Sequence, residues 1–253
     1  MTHFARFTLA ALALAAASFN AHADKPAGHT HRSAACAALP THAELKAALI
    51  AARGEDNAGF NLDMWGATVA RDGTVCAVAS SGKQWGDQWP GSRVIAAQKA
   101  NTANAFGLPG LALATANLYS GVQPGGFIYG IQESNPVDVR VAYAGEAKDW
   151  GSTKDPMVGH KIGGVNVFGG GLALYNKAGE IIGALGTSGD TSCADHFISW
   201  RMRHALQLDY VPGGVGPGGV DQIAFTGGWS QPHCKDAAAE DALVAKLPAT
   251  RKK

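Results

Sequence analysis

Residues 170–190 read "GGLALYNKAGEIIGALGTSGD", and the way this stretch folds decides the architecture. Two β-rich runs, Leu172–Tyr175 and Ile181–Leu185, flank a polar segment that contains Gly179, which predicts an antiparallel hairpin. The competing reading is a phosphate cradle, because the preceding run "GGVNVFGGG" (163–171) holds five glycines in nine residues. Spacing rules it out. A dinucleotide fingerprint needs G-x-G-x-x-G and a P-loop needs G-x-x-x-x-G-K-[ST], each opening a helix whose amides face the phosphates. Glycine this dense costs backbone entropy unless a loop folds tightly or something approaches the backbone closely.

Upstream lies a second hairpin. "MWGATVARDGTVCAVAS" (64–80) is two β-rich runs around Asp72-Gly73, a strong short-range turn signal. Before it, "PTHAELKAALIAAR" (40–53) has Thr41 and Glu44 at capping-box spacing and apolar Leu45, Leu49 and Ile50 at helical intervals, so a helix is expected over 42–53. "SRVIAAQKANTANAFG" (92–107) predicts a helix capped by Ser92 and ended by Gly107. Residues 110–164 are loop-rich, with "QPGG", "SNP" and "KDP" as turn signals and short β-like pieces "GFIYGI" and "VRVAYAG"; a run of this length reads as a covering or binding loop. After the hairpin, Ser192 or Asp190 is expected to cap a helix carrying His196, Trp200 and His204 at four-residue steps. A short helix within "DAAAEDALVAKL" (236–247) closes the chain.

The N-terminus sets the compartment. An apolar stretch from Phe7 to Ala17 after a single arginine, followed by Ala21-His22-Ala23, reads as a secretory signal over residues 1–23. The mature chain is then expected to be periplasmic or secreted, with no membrane span, since no later apolar run approaches the length a span needs. Residues 24–40 are small and polar and are expected to be disordered, with His29 and His31 as a weak metal handle. Beyond residue 23 the chain carries 20 basic and 20 acidic groups, which is not the footprint of a nucleic-acid binder. Four cysteines, Cys36, Cys76, Cys193 and Cys234, imply two disulfides in an oxidising compartment, with three pairings open. A zinc site using Cys193, His196, His233 and Cys234 is the alternative.

Several catalytic signatures are missing. "GTSGD" departs from the G-x-S-x-G nucleophile elbow because Asp190 stands where the last glycine belongs. The acid pairs Glu146/Asp149 and Asp190/Asp195 sit in loop or cap positions. The stripe His196-Trp200-His204 is the most suggestive feature, since imidazole ligates iron and an adjacent indole can stack on a porphyrin. On the 92–107 helix, Arg93 and Lys99 can pair with carboxylates of a ligand.

Taken together, "MWGATVARDGTVCAV", "SRVIAAQKANTANAFG" and "IIGALGTSGD", in this order, resemble the GlcG/HbpS family of haem-binding proteins and are similar to the C-terminal domain of PduO. The resemblance covers about residues 42–207. It implies a profilin-like α/β (α+β) fold, an antiparallel sheet of about five strands packed with helices, forming one domain over 41–253 with an insertion at about 110–164. It also implies a homo-oligomer and haem as cofactor, and it places the glycines of 163–171 where a flat ligand or a neighbouring subunit can approach. Of the histidines, His196 is the expected iron ligand, because it starts a helix directly after the family-like strand end, with Trp200 stacking beside it. Thr102 or Tyr129 would be the oxygen alternative, and Lys99 and Arg93 would face the haem carboxylates. The function so implied is an exported protein that sequesters or carries haem, or a related tetrapyrrole, without catalysis. The alternatives are a periplasmic enzyme acting on a small organic acid or using bound haem oxidatively, and an oligomeric interaction module with no ligand.

Overall fold

The computed structural model describes residues 33–252, so the expected signal 1–23 and the histidines at 29 and 31 lie outside the described residues. Thr41 opens the first helix as its spacing requires. Its hydroxyl accepts the Glu44 N–H at 3.3 Å, and the Glu44 carboxylate accepts the Thr41 N–H at 2.7 Å. The elements then run α1 (His42–Arg53), β1 (Trp65–Ala70), β2 (Val75–Ser80), α2 (Pro90–Phe106), three one-turn helices α3 (Thr115–Leu118), α4 (Ile131–Ser134) and α5 (Val139–Ala142), β3 (Gly171–Tyr175), β4 (Ile181–Ser188), α6 (Ser192–Ala205) and α7 (Ala237–Val244).

Both hairpins form, and β1 pairs β4 antiparallel between them, giving the order β2-β1-β4-β3. The sheet has four strands where about five were expected. The β-like piece "VRVAYAG" fails as a strand because the Asp138 carboxylate accepts the Arg140 N–H at 3.0 Å and caps α5, while "GFIYGI" is spent on turns leading into α4. Two other caps also differ from expectation. Pro90 at the first position starts α2 two residues before Ser92, and Thr191, accepting from the Ala194 N–H at 3.2 Å, caps α6 in place of Ser192 or Asp190.

The sheet is covered on both faces. Leu45 and Leu49 of α1 and Ile198 and Met202 of α6 pack on Ala70, Ala77, Ala79, Leu174 and Leu185. On the opposite face Ala96, Ala97, Ala100 and Ala103 of α2 lie on Trp65, Ala67, Val69, Val78 and Ala184. Small residues on both sides let α2 sit close: a methyl at Gly186 would fall on the Ala96 carbonyl oxygen. The glycine run has the same purpose. At Gly170, with φ +120°, a side chain would meet the Thr187 carbonyl and the stem of Lys99, and at Gly171 it would meet the Lys99 carbonyl. What approaches Gly170 and Gly171 is therefore the protein's own α2 and β4, and at Gly169 it is the Ser192 carbonyl at the start of α6.

The covering segment 110–164 is built from turns and the short helices α3–α5. It is pinned by isolated bridges Thr74–Lys161 and Val137–Gly163 and by Met157 and Ile162, which join the α2 face of the core. Of the segment 24–40 expected to be disordered, residues 33–40 are ordered: Cys36 and Leu39 are buried in the α1 face of the core. Disulfides Cys36–Cys76 and Cys193–Cys234 resolve the open pairing. Among the described residues no helix is long and apolar enough to cross a membrane.

Candidate functional site

Of the residues singled out in the sequence, Arg93, Lys99, Thr102, His196 and Trp200 lie in the interior. On α2, Lys99 runs past Gly170 to place Nζ 2.7 Å from Asp195 Oδ2 on α6, both side chains almost fully buried. Asp195 also accepts the Asp190 N–H at 3.0 Å; burial nonetheless pushes its carboxyl up to about 6, against the pull of Lys99. Arg93 donates from Nε to Asp155 Oδ2 at 2.8 Å and from Nη1 to the Ala142 carbonyl at 2.7 Å. Its guanidinium lies 4.7 Å over the Trp150 ring. Thr102 donates to the Gln98 carbonyl at 2.8 Å and accepts the Asn166 N–H at 2.9 Å. Lys99 thus ties α2 to α6, Arg93 ties it to the covering segment, and Thr102 ties it to the glycine run at Asn166.

His196 and Trp200 are neighbours, as their spacing predicted, with ring centroids 5.8 Å apart. The expectation that His196 reaches over the sheet edge is not met, because its side chain has no solvent exposure. Nε2 lies 3.0 Å from Gln222 Oε1, which also accepts the Ile223 N–H at 2.9 Å, and Nδ1 has no partner. Burial drives its pKa down to about 4, so the ring is neutral. Trp200 donates to the Pro248 carbonyl at 2.8 Å and carries the Arg203 guanidinium 4.7 Å over its ring. Arg203 in turn forms a buried fork on Asp221, at 2.6 and 2.8 Å. Tyr129 stands exposed on the covering segment. The structure thus joins Lys99 to the α6 start and His196 to Trp200, and it does not bring Arg93 or Thr102 to either.

A more accessible site forms where the end of β2, the start of α1 and residues 147–153 meet. It is a cavity of about 520 Å³ whose wall includes His42, Lys46, Lys83, Trp85, Lys148 and Trp150, with Glu146 just outside it, 2.5 Å from the Lys148 ammonium. Trp85 and Trp150 meet edge to face with centroids 6.0 Å apart, and Arg93 beneath Trp150 fixes that ring. His42 donates from Nε2 to the Gly151 carbonyl at 2.9 Å, which leaves its Nδ1 as the lone-pair nitrogen. Gly151, with φ +76°, holds this turn against Trp65, on whose ring a side chain there would impinge. A chain of balanced overall charge therefore has one mouth that is cationic and aromatic. Sequence reading missed it because its members are scattered from residue 42 to 150 and no spacing connects them.

A family model described as "Haem degrading protein HbpS-like" matches residues 46–201. The crystal structure of a complex of PduOC with haem is 24% identical, with 64% of this chain and 89% of that chain covered and a TM-score of 0.45. Klebsiella pneumoniae protein ORFY is 21% identical, covers 65% of this chain and 86% of its own, and gives a TM-score of 0.43. No curated protein matches the chain. The family match spans more than half of the sequence, including most of α1, both hairpins, α2 and most of α6, and the chain belongs to the family of HbpS-like haem degrading proteins.

Proposed function

We propose that this protein is an exported haem-binding protein that holds haem, or a related tetrapyrrole, at the mouth lined by Trp85 and Trp150. The observation that carries the reading is the convergence of Lys46, Lys83 and Lys148 with two indoles around one cavity of about 520 Å³. A flat macrocycle with two carboxylates asks for that set: aromatic faces for the ring and ammonium groups for the acids. The residues fit the group. Trp85 and Trp150, in edge-to-face contact with each other, would pack against the ring from one side, Lys46 and Lys83 would take the carboxylates with Lys148 shared with Glu146, and His42, with Nε2 already committed to Gly151, would offer Nδ1 to the metal. Bound haem supplies a redox-active iron. The protein's own part is to orient the ring, and Arg93, locked to Asp155, keeps Trp150 in place. Assembly into a homo-oligomer belongs to the same proposal, supported by exposed Phe127, Tyr129, Val139 and Tyr143 on the covering segment.

Carriage without chemistry is the first reading. The second is oxidative use of the bound haem, favoured by the family's description as haem degrading. Titration of the purified protein with hemin is expected to give a saturable Soret shift at about one haem per chain. Lys46→Glu with Lys83→Glu and Lys148→Glu should weaken affinity at least tenfold, about 1.4 kcal/mol or more, with the far-UV spectrum unchanged. Uptake that never saturates, or that ignores the charge reversal, would overturn the site. Bleaching of the Soret band under a reductant and oxygen, faster than for free hemin, would select the second reading.

A further inference from the structure

The Cys193–Cys234 disulfide has surroundings that a structural crosslink does not need. Both sulfurs and a carboxylate oxygen of Glu240 lie within 4.8 Å of one another. Glu240 has no solvent exposure. Its carboxylate accepts the backbone N–H groups of Cys234 at 3.0 Å and Lys235 at 2.8 Å, and His233 Nδ1 lies 2.8 Å from Oε2. The Gln231 amide nitrogen stands 3.2 Å from Cys193 Sγ and 3.5 Å from Cys234 Sγ, and the Cys193 N–H points at Cys234 Sγ from 3.1 Å. Donors aimed at sulfur contribute little to a disulfide and much to a thiolate. Cys193 also sits in the first turn of α6, where the helix end favours negative charge. The pair is reachable, since Cys234 is in the wall of a cavity of about 280 Å³ shared with Tyr119, Phe168 and His233.

We propose that reduction of Cys193–Cys234 creates a divalent-metal site of the zinc type, with Cys193 Sγ, Cys234 Sγ and Glu240 as its three protein ligands. A dithiol supplies the two electrons and two protons: the S–S bond breaks, two cysteine thiols form, and the dithiol becomes a disulfide. The metal then takes both sulfurs as thiolates, releasing their two protons to solvent, and accepts the Glu240 carboxylate. Tetrahedral ligation at zinc–sulfur distances of about 2.3 Å separates the sulfurs by about 3.8 Å, so the two sulfurs, bonded to each other in the disulfide, have to part when the metal enters. The fourth position would be left to a water, as Cys234 borders the cavity. His233 supports Glu240 from outside the ligand set, as an outer partner of a ligating carboxylate does, and Gln231 and the Cys193 N–H hold the sulfur charge. The metal set thus shares Cys193 and Cys234 with the one expected from sequence spacing, but Glu240 takes the place of His196, which is occupied by Gln222 in the core.

The test uses the purified full chain, reduced with a dithiol, freed of it without air, and titrated with Zn²⁺ against a chromogenic chelator and with Co²⁺ by absorption. The expected result is one equivalent of metal per reduced chain, none in the oxidised protein, and a thiolate-to-cobalt charge-transfer band. Cys234→Ser should abolish the band and the stoichiometric uptake. Glu240→Gln should weaken affinity at least tenfold, and the Cys36→Ser/Cys76→Ser double variant should bind as the parent does. Equal uptake by oxidised and reduced protein, uptake that survives Cys234→Ser, absence of stoichiometric binding, or loss of the native far-UV spectrum on reduction would each overturn the proposal.

Discussion

Asp195 and His196 are consecutive, both are buried, and burial moves their titrations toward each other. His196 falls from 6.5 to about 4, so on acidification the unfolded chain takes the proton first and stability is lost between pH 6.5 and 4. Asp195 rises from 3.8 to about 6, so the native state takes the proton first and stability is gained as pH falls from 6 toward 3.8. Each effect is on the order of a few kcal/mol across its window, and the two have opposite signs. His196→Gln removes only the first. Relative to the parent, that variant should gain up to about 3 kcal/mol as pH falls from 6.5 to 4, read from urea midpoints across the range. A parent-to-variant difference that does not change with pH would show that the ring titrates as if solvated. The sequence reading put Trp200 beside His196, which holds, and put His196 in the first turn of its helix, where the structure has it as the fifth residue, one position further on. It could not show the enclosure, because Gln222 and Ile223, which meet the ring, lie 26 and 27 positions away.

Elements were legible where their determinants are local. The α1 capping box, the Asp72-Gly73 turn and the Asn176–Glu180 turn each sit within a few residues, and all three form as read. The missing fifth strand was not legible, because "VRVAYAG" alternates like a strand and only the cap at Asp138 turns it into α5. The glycines were legible as a signal but not as to what they admit. Gly186 of β4 and Gly91 of α2 look alike in sequence and differ in surroundings: a methyl at Gly186 meets the α2 backbone at Ala96 and Ala100, whereas at Gly91 nothing lies within 4 Å. Gly186→Ala is therefore expected to force α2 off the sheet at a cost of about 1–3 kcal/mol or more. Gly91→Ala should stabilise by up to about 1 kcal/mol through helix propensity. Thermal melts of the two variants that shift in the same direction would refute this account of α2 packing. The cationic mouth was illegible for the same reason as the glycine contacts: it depends on which loops meet, and Lys46, Lys83 and Lys148 share no local pattern.

At the scale of the molecule, the two disulfides fasten the chain ends to the layers. Cys36–Cys76 ties the segment before α1 to β2, and Cys193–Cys234 ties the segment before α7 to α6, with sequence separations of 40 and 41. The loop-entropy model gives each about 4 kcal/mol. Both terminal segments also contribute apolar side chains, Leu39 on one side and Leu243 on the other, so opening either bond frees an end without dismantling the sheet. Full reduction should therefore lower Tm by about 10 °C or more for a chain of this size while the far-UV spectrum below the transition stays native. Hydrogen exchange should rise first in 33–40 and 231–247 and last in β1 and β4, which are paired on both sides. Added Zn²⁺ separates the two bonds. If the reduced Cys193, Cys234 and Glu240 take a metal, zinc restores protection to 231–247 and leaves 33–40 exposed, because binding to the native state alone stabilises only what the site holds. Equal recovery at both ends, or a Tm indifferent to reductant, would show that the crosslinks do not fasten the ends in this way.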